Sequence, residues 1–336
     1  MKSLFYTFLL LCIPAQVALA QDGRDVSRIN VSVAMFDPGI PADRSTHRDE
    51  QVFPRVRKIE ALYLPFVLRE TLVRTDTWGA VRVVPDTDIA AELLLTGTIV
   101  SSDGETLQLH IHVVDASGRV WVDQIFAGAL QQDLYDDVAA SLRTARSALD
   151  HKALRDVIEI SLLRYAQQLA PAAFDEYLES QSDGTFTIKR LPASNDPMVA
   201  RIERIRGVEY IFTDAVDAKF RELSADIASV YEVWREYRRK FVKYQADDAE
   251  RVLRSGNEAP RGSFEAISSH YENYKWDRQA AQEQEKLAVA FENEMGPTIA
   301  AIESRVRELE GWVEDRYDEW RRILAELFEL ETELPE

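Results

Sequence analysis

Between Gly97 and Phe126 the chain alternates apolar and polar positions in three runs separated by two short turn signals. In the middle run, Leu107, Leu109, Ile111 and Val113 fall on one side, and Gln108, His110 and His112 on the other. That period of two is the mark of a strand with one buried face. Asp103-Gly104 predicts a hairpin, because Gly accepts the positive φ that a two-residue primed turn needs. Ala116-Ser117-Gly118 predicts the second turn. The reading is three consecutive strands, one face core and the other wet or covered by polar contacts.

The pattern upstream supplies what joins this unit. Arg28 to Phe36 alternates through Ile29, Val31, Val33 and Met35, then stops at Asp37-Pro38-Gly39. A polar loop with His47 fills 41–50. Pro54 to Thr75 reads as a helix with Ile59, Leu62, Tyr63, Phe66 and Val67 on one face, and Pro65 inside it is expected to kink it or shift its start. Ala80 to Val84 is a second strand, Thr87 to Glu92 one helical turn, and Leu93 to Val100 a strand leading into the hairpins. Downstream, Leu134, Val138, Leu142 and Leu149 predict a helix over 132–148, and Leu154, Val157, Ile158, Leu162, Tyr165 and Leu169 one over 152–169. Pro171 stops the second, and a short helix follows at 172–178. These helices are expected to cover the exposed face of a small mixed sheet.

At 181–198 the texture changes to Ser, Asp, Gly, Asn and Pro, which marks a linker and a domain boundary, with one short strand at 185–188. Beyond it the period becomes helical. Phe220, Leu223, Ile227, Val230, Trp234, Tyr237, Phe241 and Tyr244 repeat at alternating steps of three and four, a heptad seam. A loop at 255–262 precedes a weaker stripe through Phe264, Ile267, Tyr271 and Tyr274. Gly296-Pro297 punctuates, as a hairpin or only a kink, and a last seam runs from Ile299 to Leu330, broken at Arg316. The fold class is therefore α+β. A mixed α/β domain at 21–180 is followed by a long-helix domain at 199–336, a three-helix bundle or coiled coil. The aromatic seam residues Trp234, Tyr237, Phe241 and Tyr244 are bulky for a two-stranded coil and suit a three-helix core. They are also candidate partner-binding residues, because each seam needs a cover: the other helices, a second copy, or another protein.

Composition sets the compartment. Lys2, the apolar stretch Leu4 to Ile13 and Ala18-Leu19-Ala20 have the form of a secretory signal cleaved after Ala20, too short in its apolar part to span a bilayer. Cys12, the only cysteine, lies inside that segment with Leu10 and Leu11 before it, a poor fit to a lipid-anchor motif. The exported chain then carries no disulfide. Its formal charge of −18, one unit more negative once Lys2 is gone, disfavours nucleic acid, whose phosphates require clustered Lys and Arg. No other run is long and apolar enough for a transmembrane helix.

Three segments carry a resemblance: Ala91 to Ile99, Ser102 to Ile111, and Val114 to Trp121 with its Asp-Ala-Ser-Gly-Arg-Val-Trp sequence. Over roughly 29–127 the chain resembles an exported domain shared by the TolB N-terminal domain, the curli-secretion protein CsgG and the lipoprotein activators of penicillin-binding proteins. The resemblance implies a non-enzymatic adapter that binds other envelope proteins, with no catalytic residue to carry over.

Candidate chemistry adds little to this. His110 and His112, at i and i+2 on one strand face, have a spacing that can chelate a metal, but no third ligand is identifiable, so they read as a polar sheet face and a candidate partner surface. No nucleophile elbow, Walker loop, dinucleotide fingerprint or zincin motif is present, and Gly is scarce at 13 residues. Neither a cofactor nor a catalytic residue is expected. The expected function is a periplasmic, non-catalytic adapter or scaffold for another cell-envelope protein, with homo-oligomers through the helical seams. The alternatives are a ligand-binding protein or enzyme with a site between the domains, and an oligomeric secretion or assembly component.

Overall fold

The structure is a computed structural model and describes residues 28–43, 52–85, 90–104, 106–193 except 130–132, and 195–255, single helical positions at 271, 275, 278, 282, 286 and 293, and most positions from 296 to 330. The signal segment, the loop with His47, the turn at Thr87 to Asp88 and the loop after Ser255 lie outside the described residues.

Five strands form one mixed sheet: β1 (Val31–Ala34), β2 (Val81–Val84), β3 (Leu93–Ser102), β4 (Thr106–Asp115) and β5 (Val120–Ala129), in the order β2-β1-β3-β4-β5. β1 pairs in parallel with β2 and β3, and β3, β4 and β5 form an antiparallel meander. Helix α1 (Pro54–Arg74) crosses between β1 and β2, and α2 (Asp133–Ser147) follows β5. After α3 (His151–Leu169) and the single turn α4 (Pro171–Phe174) comes a small hairpin of β6 (Leu178–Ser180) and β7 (Phe186–Ile188). Helix α5 then runs unbroken from Pro197 to Ser255.

The alternation in β4 is obeyed. Leu107, Leu109, Ile111 and Val113 are fully buried in one core with Leu64, Phe66 and Leu68 of α1 and Leu134, Val138 and Leu142 of α2. Both helices therefore cover the same, inner face, while on the outer face His110, His112 and Asp123 are exposed by 40% or more. α3 lies elsewhere: Val157, Ile160 and Leu163 form a second cluster with Ala90, Ala116 and the start of α5.

Pro65 does not end α1 or move its start, and the helix is continuous over 21 residues from Pro54. The carbonyl of Ala61, four residues earlier, has no Pro65 N–H to accept and takes the N–H of Phe36 instead at 3.1 Å. The missing helical bond thus becomes a tether between α1 and the end of β1. Phe36 in turn packs on Gly97 of β3, where a Cβ would sit 2.7 Å from its ring. Gly97→Val is accordingly expected to lower stability by about 1–3 kcal/mol through overpacking, read as the shift in a urea unfolding midpoint.

The heptad pattern predicts the buried stripe of α5, but the stripe begins earlier and is covered by the sheet core and α1 as well as by the C-terminal helical stretch. Ile202, Ile205, Phe212 and Val216 extend it toward the N-terminus, and Phe212, Val216, Phe220, Tyr231 and Trp234 belong to the same core as the sheet. The stretch 181–198 separates two textures of sequence, while the packing is continuous across it. Leu223, Ile227 and Val230 meet Ile59 of α1 and Ile299, Ile302 and Val306 of the C-terminal helical stretch. That stretch runs antiparallel to α5. Arg305 pairs with Asp226, Trp312 stacks near Phe212 at 6.3 Å, and Leu324 joins Ile202 and Ile205. The last seam shifts accordingly: Leu324 is buried, whereas Leu327 and Leu330 are exposed.

Polar groups fix α5 in register. Asp217 accepts the N–H of Val83 at 2.9 Å and takes Arg221 at 2.6 Å and Arg69 at 3.2 Å. Arg206 donates to Ala90 O and Ser161 Oγ at 2.8 and 2.7 Å. Arg238 donates to Asp103 O at 2.7 Å, in the turn between β3 and β4. Gly104 of that turn has φ +90°, and a Cβ there would lie 2.4 Å from the Arg238 Cβ. The hairpin closes one residue later than Asp103-Gly104 as a central pair would place it, since Asp103 N–H donates to Thr106 O. Beneath the turn, Glu60 accepts from Ser102 Oγ at 2.5 Å and Tyr231 OH at 3.0 Å, with Arg57 Nε 3.8 Å away. Burial holds the Glu60 carboxyl above its ordinary range, against the pull of Ser102, Arg57, Tyr231 and Arg238.

Candidate partner-binding surface

The two edges of the sheet are treated differently. At the β2 edge, α5 lies alongside: Asp217 caps the Val83 N–H, and Arg82 reaches Asp214 at 2.6 Å and stacks on Tyr210. At the other edge stands β5, ten residues long, and no strand among the described residues pairs with its outer side. An edge strand presents a row of N–H and C=O groups, which proteins usually blunt with Lys, Pro or a covering element. β5 contains no Lys, Arg or Pro. Its one charged residue is Asp123.

β5 is positioned by the turn before it. The buried Asp115 carboxylate accepts from Ser117 N at 2.8 Å, Ser117 Oγ at 2.5 Å, Arg119 N at 3.2 Å and Trp121 Nε1 at 2.8 Å. The Asp-Ala-Ser-Gly-Arg-Val-Trp sequence is thus a hairpin staple in which one carboxylate serves four donors. Asp115→Ala orphans them, including an indole N–H half inside the core against Trp78. The expected cost is about 2–4 kcal/mol, measured by chemical unfolding with Trp fluorescence, and Asp115→Asn is expected to recover part of it.

On the outer face, opposed residues run in rows. Thr98, His110 and Ile125 form one, and Thr96, His112 and Asp123 the next. His110 Nε2 lies 2.7 Å from Asp123 Oδ1, and His112 Nδ1 lies 3.6 Å from the same oxygen. The two predicted histidines are therefore brought together on a third polar residue, and all three are exposed by 40% or more. The hydrogen bond from His110 holds the Asp123 carboxyl below its usual range. Among the described residues no group of three or more His, Cys, Asp or Glu side chains is arranged to hold a metal ion. Val100, Val120 and Ile125 add exposed apolar area to the β3–β5 end of the molecule.

Below the outer edge of β5 runs an open groove of about 750 Å³, between Trp121 to Ala127 and the α2 residues Asp137, Ala140, Ser141, Thr144 and Ala145. The α2 residues recur at steps of three and four, so they share one helix face.

The helical candidates are placed differently. Trp234 is 3% exposed, edge-on to Phe53 with ring centroids 4.8 Å apart, and lies within the core shared with the sheet. Tyr237, Phe241 and Tyr244 lie in α5, with side chains outside the description. Sequence reasoning missed the β5 edge and the small-residue face of α2. Ala140, Ser141, Thr144 and Ala145 do fall at helical spacing beside the apolar stripe, but only the strand order shows that they flank an open edge. No helix among the described residues is long and apolar enough to cross a membrane. Comparisons with protein-family models, curated proteins and solved structures find no match to this chain.

Proposed function

We propose that this protein is a non-catalytic, exported adapter or scaffold that binds another protein of the cell envelope. The observation that carries the reading is the asymmetry of the sheet. One edge is closed by α5 and its Asp217 cap, and the other, beside a groove, is paired by no strand among the described residues. Exposed pairing groups next to exposed apolar side chains are a protein-docking arrangement. The signal-like N-terminus and the resemblance of 91–121 to exported adapter domains support the envelope as its setting. The 59-residue α5 spans about 90 Å, far more than the roughly 33 Å of a ten-residue strand. In this reading α5 and the C-terminal helices form a bundle that serves as a rigid arm, and the α/β part is the recognition end.

The test is affinity capture from an envelope extract with the full exported chain as bait, since the core is continuous between the two parts. The expected result is one defined envelope protein retained after a high-salt wash and reproduced in the reciprocal capture. Failure to retain any defined protein, with or without cross-linking, contradicts the reading.

A further inference from the structure

Resting on that adapter reading, we infer that β5 binds its partner by strand addition, and that the occupant is an extended basic segment of the partner protein, alternating Lys or Arg with small apolar residues. A chain laid beside β5 pairs with its free backbone groups, and its side chains alternate between the two faces of the extended sheet. On the outer face those side chains become neighbours of Asp123 and Ile125. On the inner face they enter the groove over Ala140, Ser141 and Thr144, with Asp137 among the lining residues. The low wall of Ala, Ser and Thr leaves room for Val-sized side chains and lets the incoming backbone approach the edge.

Charge selects the occupant. Among the described residues, Asp123 and Asp137 are the only ionisable side chains lining the groove, and both are acidic. The two carboxylates lie on opposite sides of the path, so cations on either face of the added strand find a counter-charge. A second copy would bring the same Asp123 and the same large negative charge to the interface, which disfavours β5 pairing with itself. Like-charge repulsion also disfavours an acidic segment. The His110 imidazole already touching Asp123 becomes a movable competitor, displaced when a Lys or Arg arrives.

The experiment uses the full exported chain and three acetylated ten-residue peptides: alternating Lys–Val, alternating Glu–Val, and the Lys–Val peptide with two central prolines. Binding is read by anisotropy at physiological salt, and site by amide hydrogen exchange. The Lys–Val peptide is expected to bind and slow exchange at β5 amides at least tenfold. The proline peptide is expected to bind at least tenfold more weakly, because it cannot complete the ladder. Asp123→Lys with Asp137→Lys is expected to lose at least tenfold for Lys–Val and to gain affinity for Glu–Val. Ala140→Trp fills the groove and is expected to abolish the β5 protection. If that variant does not fold, the exposed Asp123→Lys substitution carries the test alone. Lys–Val binding without β5 protection, or equal affinity for the proline peptide, overturns the inference. So does β5 protection that rises with protein concentration alone alongside a dimer in sedimentation, which assigns the edge to a second copy. If a groove-filled chain still captures its envelope protein, the strand-addition proposal falls while the adapter reading stands.

Discussion

A chain cut before α5 will fail to hold its sheet. Residues 21–196 retain all five strands of the main sheet and α1 to α4, yet lose Phe212, Val216, Phe220, Tyr231 and Trp234 from the common core. Burying such a side chain contributes about 1.5–3 kcal/mol, so five of them amount to roughly 10 kcal/mol, as large as the whole stability of a typical domain. The cut also removes the Asp217 carboxylate from the Val83 N–H and leaves the β2 edge as open as the β5 edge. The fragment is expected to be insoluble, or to lack a cooperative thermal transition and bind a hydrophobic dye. A soluble fragment with a sharp transition within a few degrees of the full chain would show that α5 is an appendage.

Removing the Glu60 carboxylate will destabilise the protein by about 3–5 kcal/mol. Glu60 sits at 1% exposure where α1, α5 and the β3–β4 turn meet, and it receives Ser102 Oγ and Tyr231 OH while facing Arg57. Glu60→Ala leaves the Arg57 guanidinium without its counter-charge and two hydroxyls without an acceptor, the case in which breaking a buried pair costs most. Glu60→Gln keeps an acceptor oxygen and is expected to cost less. The two also differ in pH response. Burial raises the folded-state pKa of Glu60, so between the unfolded and folded values the native state binds the proton more tightly. This group therefore favours the folded state below its unfolded pKa and loses that contribution as pH rises through the folded one. The stability gap between wild type and Glu60→Gln is expected to shift in the wild type's favour as pH falls from the raised folded-state value toward the ordinary carboxyl range, followed by thermal melts. A gap independent of pH would mean the carboxyl titrates normally.

Much of the fold was legible because period two and period three-to-four patterns report which side of an element is buried. The β4 alternation and the α5 stripe between Phe220 and Trp234 were read correctly on that basis. The seam could not name what covers it: an amphipathic helix fits another helix or a sheet-backed core equally well, and here α1 and the sheet share the work. The tolerance of Pro65 inside α1 was not legible, because it depends on where the freed Ala61 carbonyl finds a donor, and that donor, Phe36 N–H, comes from the end of β1. Arg238 is fully buried beside the aromatic seam, which a hydrophobic pattern does not anticipate. Its charge is accommodated by the Asp103 carbonyl and the Phe53 and Trp234 rings. The open edge was invisible for a topological reason. β1 inserts between β2 and β3, which leaves the end of the meander outermost, and no local property of Val120 to Ala129 encodes that position.

The most direct test of the docking surface is site-specific photo-cross-linking from position 125, in the full chain, within the intact envelope. Ile125 is exposed on β5, and Ile211 is exposed on α5 away from the groove. The account predicts a single defined cross-linked protein from a photoreactive residue at 125, absent from the same residue at 211 and lost when Asp137→Lys is added. The same adduct from both positions, or none from 125 while 211 yields one, would contradict it and move the functional interface to the helices.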